Sequence, residues 1–286
     1  MKIKYLTKKE VLRFIDRALK EDIGDGDHST LASIPEHLEQ KAQLLVKDHG
    51  ILAGVELAKW IFARIDKSLK IESFLKDGDE IEKGDIVLTV EGRVRSILSA
   101  ERLVLNCMQR MSGIATYTKK MTELIKGTSV QLLDTRKTAP NFRICEKWAV
   151  KIGGGENHRF GLYDMIMLKD NHVDYAGGVK EAIQATLKYI KENDLDLKIE
   201  VETRSISEVE EVLETGGVDV IMLDNMLPST MKEALKIIDN KCKTEASGGI
   251  TEKNILEIAE TGVDYISVGA LTHSYKSLDL SLKAVK

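Results

Sequence analysis

The sequence predicts an α/β fold in two parts, the second of them an irregular, incomplete (β/α) barrel. Three observations carry this. From residue 130 onward, short apolar strands alternate with amphipathic helical stretches. Taking strand ends at 202, 224, 246 and 268, the spacing is 22 residues each time. Before residue 112 the rhythm differs, with short strands and tight turns around one helix. Regular βα units imply a parallel sheet, and six of them favour a barrel over an open sheet while falling short of eight.

Element by element, Thr7-Lys8-Lys9-Glu10 reads as a capping box, followed by Val11, Phe14, Ile15, Ala18 and Leu19 at helical spacing. The helix gives way at the acidic stretch from Glu21 to Asp27. That stretch lacks the calcium-loop pattern with its terminal glutamate, and reads as a loop with Asx turns. Short strands are expected from Lys41 to Val94, interrupted by a helix around Val55–Ile65. Lys76-Asp77-Gly78-Asp79 and Lys83-Gly84-Asp85 supply hairpin-turn chemistry there. Ser96 to Ser112 is a long helical pattern, and Ser112-Gly113 marks a break. The domain boundary is placed at that break, giving domains 1–112 and 113–286, with the last helix expected to pack back on the first domain. The barrel strands are expected at Val130–Leu133, Met165–Leu168, Leu197–Val201, Val218–Leu223, Cys242–Ala246 and Tyr265–Val268.

Composition bounds the function. The 286 residues are 43% hydrophobic and 31% charged, enough for a sizeable core and a soluble surface. A net charge of −4 argues against a general nucleic-acid binder, which needs a basic excess to displace counterions. Charge is nevertheless uneven: from Arg136 to His172 seven Lys/Arg face four acids, a basic island that suits a focused anion site. Cys107, Cys145 and Cys242 form no CxxC pair, which fits a reducing compartment. The polar start and the lack of a long apolar run predict a cytoplasmic protein with no membrane span.

In barrels of this kind the active site is built at the carboxyl ends of the strands. Here those ends read Asp134-Thr135-Arg136-Lys137-Thr138, Lys169-Asp170-Asn171-His172, Glu202, Asp224, Ser247-Gly248-Gly249, and Gly269 with His273 soon after. Any one could be an ordinary cap or salt bridge, but six on one rim make a functional site the better reading. Glu202 and Asp224, on adjacent strand ends, can share a divalent cation, with Mg²⁺ favoured by oxygen ligands. Arg136, Lys137, Arg159 and Lys169 can grip carboxylates or phosphates. Ser247, Gly248, Gly249 and Gly269 suit a phosphate approached by backbone N–H groups. Gly153-Gly154-Gly155 gives backbone freedom just before Asn157-His158-Arg159. His158 and His172 lack metal-ligand spacing and are read as hydrogen-bonding residues.

These blocks, together with Glu101-Arg102-Leu103, Ser112-Gly113-Ile114-Ala115-Thr116, Leu223-Asp224-Asn225 and Gly269-Ala270-Leu271-Thr272-His273, resemble the quinolinate phosphoribosyltransferases from about residue 20 to 275. One departure is Asn141, which follows Pro140 where that family has glycine and is expected to alter loop flexibility. The resemblance implies an N-terminal α/β sandwich domain, an irregular barrel, and a homodimer in which Arg102 enters the neighbour's site. It implies that Arg136, Lys137, His158, Arg159 and Lys169 bind the quinolinate carboxylates and phosphoribosyl pyrophosphate. Glu202 and Asp224 would contact the ribose hydroxyls and Mg²⁺, Ser247, Gly248 and Gly269 would hold the 5′-phosphate, and Gly249 and His273 are further expected substrate-binding residues. Lys137, Glu202 and Asp224 are the expected catalytic set. The competing readings are a relative of the same fold with another acceptor, and a Schiff-base aldolase using Lys137 or Lys169.

Overall fold

The structure is a computed structural model that describes residues 5–285, and the chain forms two compact units. One unit gathers the residues up to Lys119, Thr138–Gly154 and those from Leu271 on; the other holds Lys120–Lys137 and Gly155–Ala270.

In the first unit Thr7 caps α1 (Lys8–Ile23), its hydroxyl accepting the Glu10 N–H as the capping pattern predicts. Asp27, the end of the acidic stretch, caps α2 (His28–Ser33) in the same way. There follow β1 (Glu39–Val46), β2 (Gly50–Ile51), α3 (Val55–Ile65), β3 (Lys70–Ser73), β4 (Glu80–Ile81) and β5 (Ile86–Arg93). Strand β5 lies between β1 and β3, pairs antiparallel with both, and buries Val87, Leu88, Thr89 and Val90 in succession. Four consecutive buried residues mean that both faces of the central strand are covered. Asp77, in the first predicted turn, accepts the Val55 N–H at 2.8 Å and so fixes the start of α3.

Helix α4 (Val94–Leu124) corrects one expectation: the break at Ser112-Gly113 is absent, and 31 residues form one helix through it. Glycine is there because of packing. A Cβ on Gly113 would collide with the Lys276 carbonyl oxygen, so the helix accepts a poor helix former to let the tail approach. The tail is the second correction. Instead of a last helix, Leu280–Ala284 forms a strand that pairs antiparallel with β1, Leu282 opposite Leu44. Its alternation, with Leu280 and Leu282 buried and Ser281 and Lys283 less so, is the period of a strand.

The second unit holds the six parallel strands: β6 (Gln131–Leu133), β7 (Ile166–Leu168), β8 (Ile199–Thr203), β9 (Val220–Asp224), β10 (Lys243–Ser247) and β11 (Tyr265–Ser267). All six fall on the predicted segments. The sheet order is β6-β11-β10-β9-β8-β7, so the strands run round in sequence order and β6 and β7 form the two edges. The free side of β6 is taken by Glu156, whose N–H bonds the Leu132 carbonyl at 2.7 Å and whose carbonyl accepts the Asp134 N–H at 3.1 Å. Arg159, three residues on, donates to the Met165 carbonyl beside β7 at 3.2 Å. A stub of extended chain and one side chain thus bridge the seam, which makes the barrel irregular and incomplete. The segment between β6 and β7 carries α5 (Arg143–Ile152), which belongs to the first unit. After β7 come α6 (Asp170–Ala176) and α7 (Val179–Glu192), then α8 (Ile206–Thr215), α9 (Pro228–Ile238), α10 (Ile255–Ala259) and α11 (Ala270–His273), each following a strand. The tail strand is β12.

Candidate active site

Strand alternation sorts the residues of the second unit by face. Glu200 on β8 and Glu245 on β10 both reach His158, so the face carrying them points into the barrel. Two residues further along the same face come Glu202 and Ser247, and on β9, between them, Asp224. The mouth therefore has two levels. Near the rim lie Lys169, Glu202, Asp224 and Ser247, and beneath them lies a buried cluster of His158, Glu200 and Glu245.

At the rim, Lys169 Nζ lies 3.3 Å from Glu202 Oε2. The Glu202 pKa is raised, first by burial and then by the Asp224 charge, with Lys169 acting against both. Two carboxylates close enough to repel, one of them already seeking a cation, form a donor set suited to a hard divalent ion. Lys169 is held as an ion pair, the opposite of the desolvated lysine that a Schiff-base nucleophile needs, so the geometry disfavours Lys169 in that role. His172 turns back to accept the Lys169 N–H at 3.0 Å and caps α6, the hydrogen-bonding role expected of it.

The phosphate-type turn follows β10. Gly248 and Gly249 have φ of 89° and 61°, consecutive left-handed residues of the kind glycine adopts without strain. Asn254 supports the turn, donating to the Gly249 carbonyl at 3.1 Å and accepting the Thr251 N–H at 2.7 Å. Asn225 ties it to β9: its N–H bonds the Ser247 carbonyl at 2.8 Å, and its Nδ2 donates to Asp224 Oδ2 at 2.7 Å. Gly269 follows β11 at the neighbouring strand end.

On the cationic side, Asp134 is wholly buried at the end of β6 and accepts Asn157 Nδ2 at 2.6 Å and the His158 N–H at 2.9 Å. This clamp holds the Asn157-His158-Arg159 segment beside the Arg136-Lys137 segment. Burial, and then the nearby Arg136 charge, lower the Arg159 pKa, so the two guanidiniums lie near one another. Two arginines close enough to repel one another suit an anionic ligand.

The sequence offered no role for Glu200, Glu245, Asp134 or Asn225. In Ile199-Glu200-Val201 and Thr244-Glu245-Ala246 a charge sits inside a strand, and the structure shows that strand to be buried on both faces. A fully buried carboxylate needs a partner. Here it is His158, whose Nε2 lies 2.9 Å from Glu200 Oε2 and 3.3 Å from Glu245 Oε2. Burial opposes a charged imidazole, but the hydrogen bonds and charges of the two glutamates outweigh it and raise the His158 pKa to about 10. Burial likewise raises Glu200 to about 7, with His158 opposing and the Glu245 charge adding. The Arg159 N–H points at His158 Nδ1 at 2.7 Å, so both ring nitrogens face partners within the protein. The cluster as a whole retains a proton that three separate groups would release near neutral pH.

The two remaining expected residues, Arg102 on α4 and His273 on α11, belong to the first unit; Arg102 is exposed, and His273 Nδ1 lies 2.7 Å from Ser274 Oγ. Asn141 has φ of 62°, in the left-handed region that glycine favours and asparagine tolerates better than most residues, so the departure from glycine preserves that backbone conformation.

A parallel barrel whose mouth sets paired arginines against paired carboxylates and a diglycine turn defines an enzyme for anionic substrates. Residues 27–112 match the N-terminal domain of quinolinate phosphoribosyl transferase and residues 114–283 its C-terminal domain, and the chain belongs to that family. Quinolinate phosphoribosyltransferase [decarboxylating] 1b of Nicotiana tabacum is 49% identical over 284 residues, covering 94% of this chain and 81% of the tobacco protein. The probable nicotinate-nucleotide pyrophosphorylase [carboxylating] of Bacillus subtilis is 40% identical, covering 96% and 93%. Among solved structures, NadC from Streptococcus pyogenes superposes with a TM-score of 0.90 at 39% identity, covering 98% of this chain and 99% of that one. No helix among the described residues is long and apolar enough to cross a membrane.

Proposed function

We propose that this protein transfers the phosphoribosyl group of phosphoribosyl pyrophosphate to quinolinate with decarboxylation, giving nicotinate mononucleotide, carbon dioxide and pyrophosphate for NAD synthesis. The observation that carries the reading is that one barrel brings together the cations Arg136, Arg159 and Lys169 with the acids Glu202 and Asp224 and the Ser247-Gly248-Gly249 turn, Lys169 meeting Glu202 where the two groups join. A dianionic acceptor fits the cations, and a phosphorylated ribose fits the acids and the turn.

In this reading Arg136 and Arg159 hold the quinolinate carboxylates, with Lys137 and Lys169 beside them. The backbone N–H groups of Gly248, Gly249 and Gly269, with Ser247, take the 5′-phosphate. Glu202 and Asp224 meet the ribose hydroxyls and would hold Mg²⁺, which supplies charge neutralisation for the pyrophosphate. The pyridine nitrogen attacks C1 of the ribose as a neutral lone pair, so no strong base is needed. The C1–O bond to pyrophosphate breaks, and the fixed carboxylates of Glu202 and Asp224 oppose the positive charge that develops on the ribose. The ring nitrogen, now cationic, stabilises the electron pair that stays on C2 when carbon dioxide departs, and that pair takes up a proton to form C2–H.

Further parts of the reading are a homodimer in which Arg102 serves the neighbouring site, and a cytoplasmic location, which the free cysteines Cys107, Cys145 and Cys242 support. The test is pyrophosphate release with phosphoribosyl pyrophosphate, Mg²⁺ and each of quinolinate, nicotinate and orotate. Quinolinate should react, and nicotinate, one carboxylate short, should be slower by roughly 10³-fold because cations covered by the bound acceptor would go unpaired. Comparable turnover of nicotinate would overturn the assignment.

A further inference from the structure

We propose that Glu200 and Glu245 are positioning residues for acceptor recognition: they hold the His158 ring inside the barrel and thereby fix Arg159 where the acceptor's carboxylate binds. The inference rests on the site being a quinolinate site.

Both ring nitrogens of His158 are committed within the protein, Nδ1 to the Arg159 N–H at 2.7 Å and Nε2 to the glutamate pair at 2.9 and 3.3 Å. The side chain is only 7% exposed. The ring therefore has no nitrogen to offer a ligand, and its influence on one passes through Arg159. That segment is held at further points, by Asp134 on the His158 N–H and Asn157 amide, and by the Met165 carbonyl on the Arg159 guanidinium. Together these contacts restrain the backbone and side chain of the arginine that lies near Arg136.

The cost of the arrangement argues for a purpose. Glu200 and Glu245 are 0% and 1% exposed; both Glu200 carboxylate oxygens and Glu245 Oε1 are buried with no hydrogen bond, so Glu200 meets His158 as an ion pair. Barrel interiors are ordinarily filled with branched apolar side chains, and a buried ionic cluster is seldom the more stable choice. What the carboxylates provide here is negative charge near two neighbouring arginines: the Glu200 charge favours the Arg159 guanidinium, while Arg136 opposes it. Removing it should leave the arginines repelling one another and Arg159 free to turn away.

Steady-state kinetics of Glu200→Gln and Glu245→Gln, varying each substrate in turn, test this. The KM for quinolinate should rise on the order of tenfold or more, with the KM for phosphoribosyl pyrophosphate changed by no more than about twofold. Val209→Ala, a core truncation in α8, serves as the control for lost stability alone. An unchanged quinolinate KM, or both KM values moving in parallel as in the control, would overturn the proposal. If the glutamine variants do not fold, the wild-type structure with quinolinate bound decides. Arg159 should then contact a quinolinate carboxylate while the His158 ring keeps its present partners, and a ring nitrogen bonded to quinolinate would overturn the proposal. Wild-type protein that does not convert quinolinate would instead refute the reading of the site, a result seen before any variant is made.

Discussion

The side-chain Oδ1 of Asn225 occupies the space that a Cβ on Gly248 would need. Both residues have left-handed backbones, with φ of 53° and 89°, and the same asparagine amide donates to Asp224 at 2.7 Å. The glycine turn and the carboxylate beside it are therefore adjusted as one piece. Gly248→Ala should push the amide off Asp224 and strain the turn at once, costing about 1–3 kcal/mol of stability. Kinetics should show a raised KM for phosphoribosyl pyrophosphate and a lower kcat; wild-type values would show that this packing does not matter to the donor site.

Glu202→Gln and Asp224→Asn keep shape and remove charge. Circular dichroism and Tm should stay near wild type, whereas turnover should fall by about 10²-fold or more, because the charge is needed as pyrophosphate departs. Calorimetric titration of Mg²⁺ in the presence of phosphoribosyl pyrophosphate should show weakened binding in both. Near-normal activity in either would remove that residue from its assigned role.

Arg102 lies on no strand end, and its proposed place in the neighbouring site can be read by complementation. Arg102→Ala and Lys137→Ala should each be nearly inactive alone. In a mixed dimer one site carries both defects and the other neither, so random reassembly should recover up to about a quarter of wild-type activity. Absence of recovery in demonstrated heterodimers would confine Arg102 to its own subunit or to no site.

Acid stability should report on Asp66, which ends α3. Its carboxylate accepts from the Ser68 N–H and hydroxyl, the Ser96 hydroxyl and Arg93 Nε, at 2.7–2.9 Å. The Ser68 hydroxyl first, then the Ser68 N–H, Ser96 and Arg93, hold its pKa well below the usual carboxylate range, against the effect of burial. A depressed folded pKa gives stability that is present above the unfolded value and lost as pH falls through the folded one. Asp66→Asn should therefore cost about 2 kcal/mol at pH 7. In denaturant titrations that gap should narrow steadily once the pH drops below about 4. A gap independent of pH would mean that the charge contributes nothing.

Periodicity exposed most of the scaffold. The six barrel strands were legible because each is a short apolar run ending in a charge or glycine, and the α3 interval because its helical pattern is bounded by turns. What periodicity could not show was contact between distant segments. Gly113 reads as a breaker by propensity alone, since the Lys276 carbonyl that requires it is remote in sequence. Leu280–Ala284 becomes a strand only because β1 offers an edge. At the site, the rim was legible because chemistry-bearing residues cluster at strand ends. The level beneath it was not, since a glutamate inside a strand draws attention only when the strand's burial is known.

The pairing of β12 with β1 also sets an order of events during synthesis. The antiparallel sheet of the first unit has its final strand encoded after every strand of the barrel, so an emerging chain must leave the β1 edge open while the whole barrel passes out of the ribosome. An open edge is a template for pairing with another chain. The nascent protein is thus exposed to aggregation for longer than its compact product would suggest, and the seam closed by Leu280–Ala284 is where a co-translational chaperone would have the most to do.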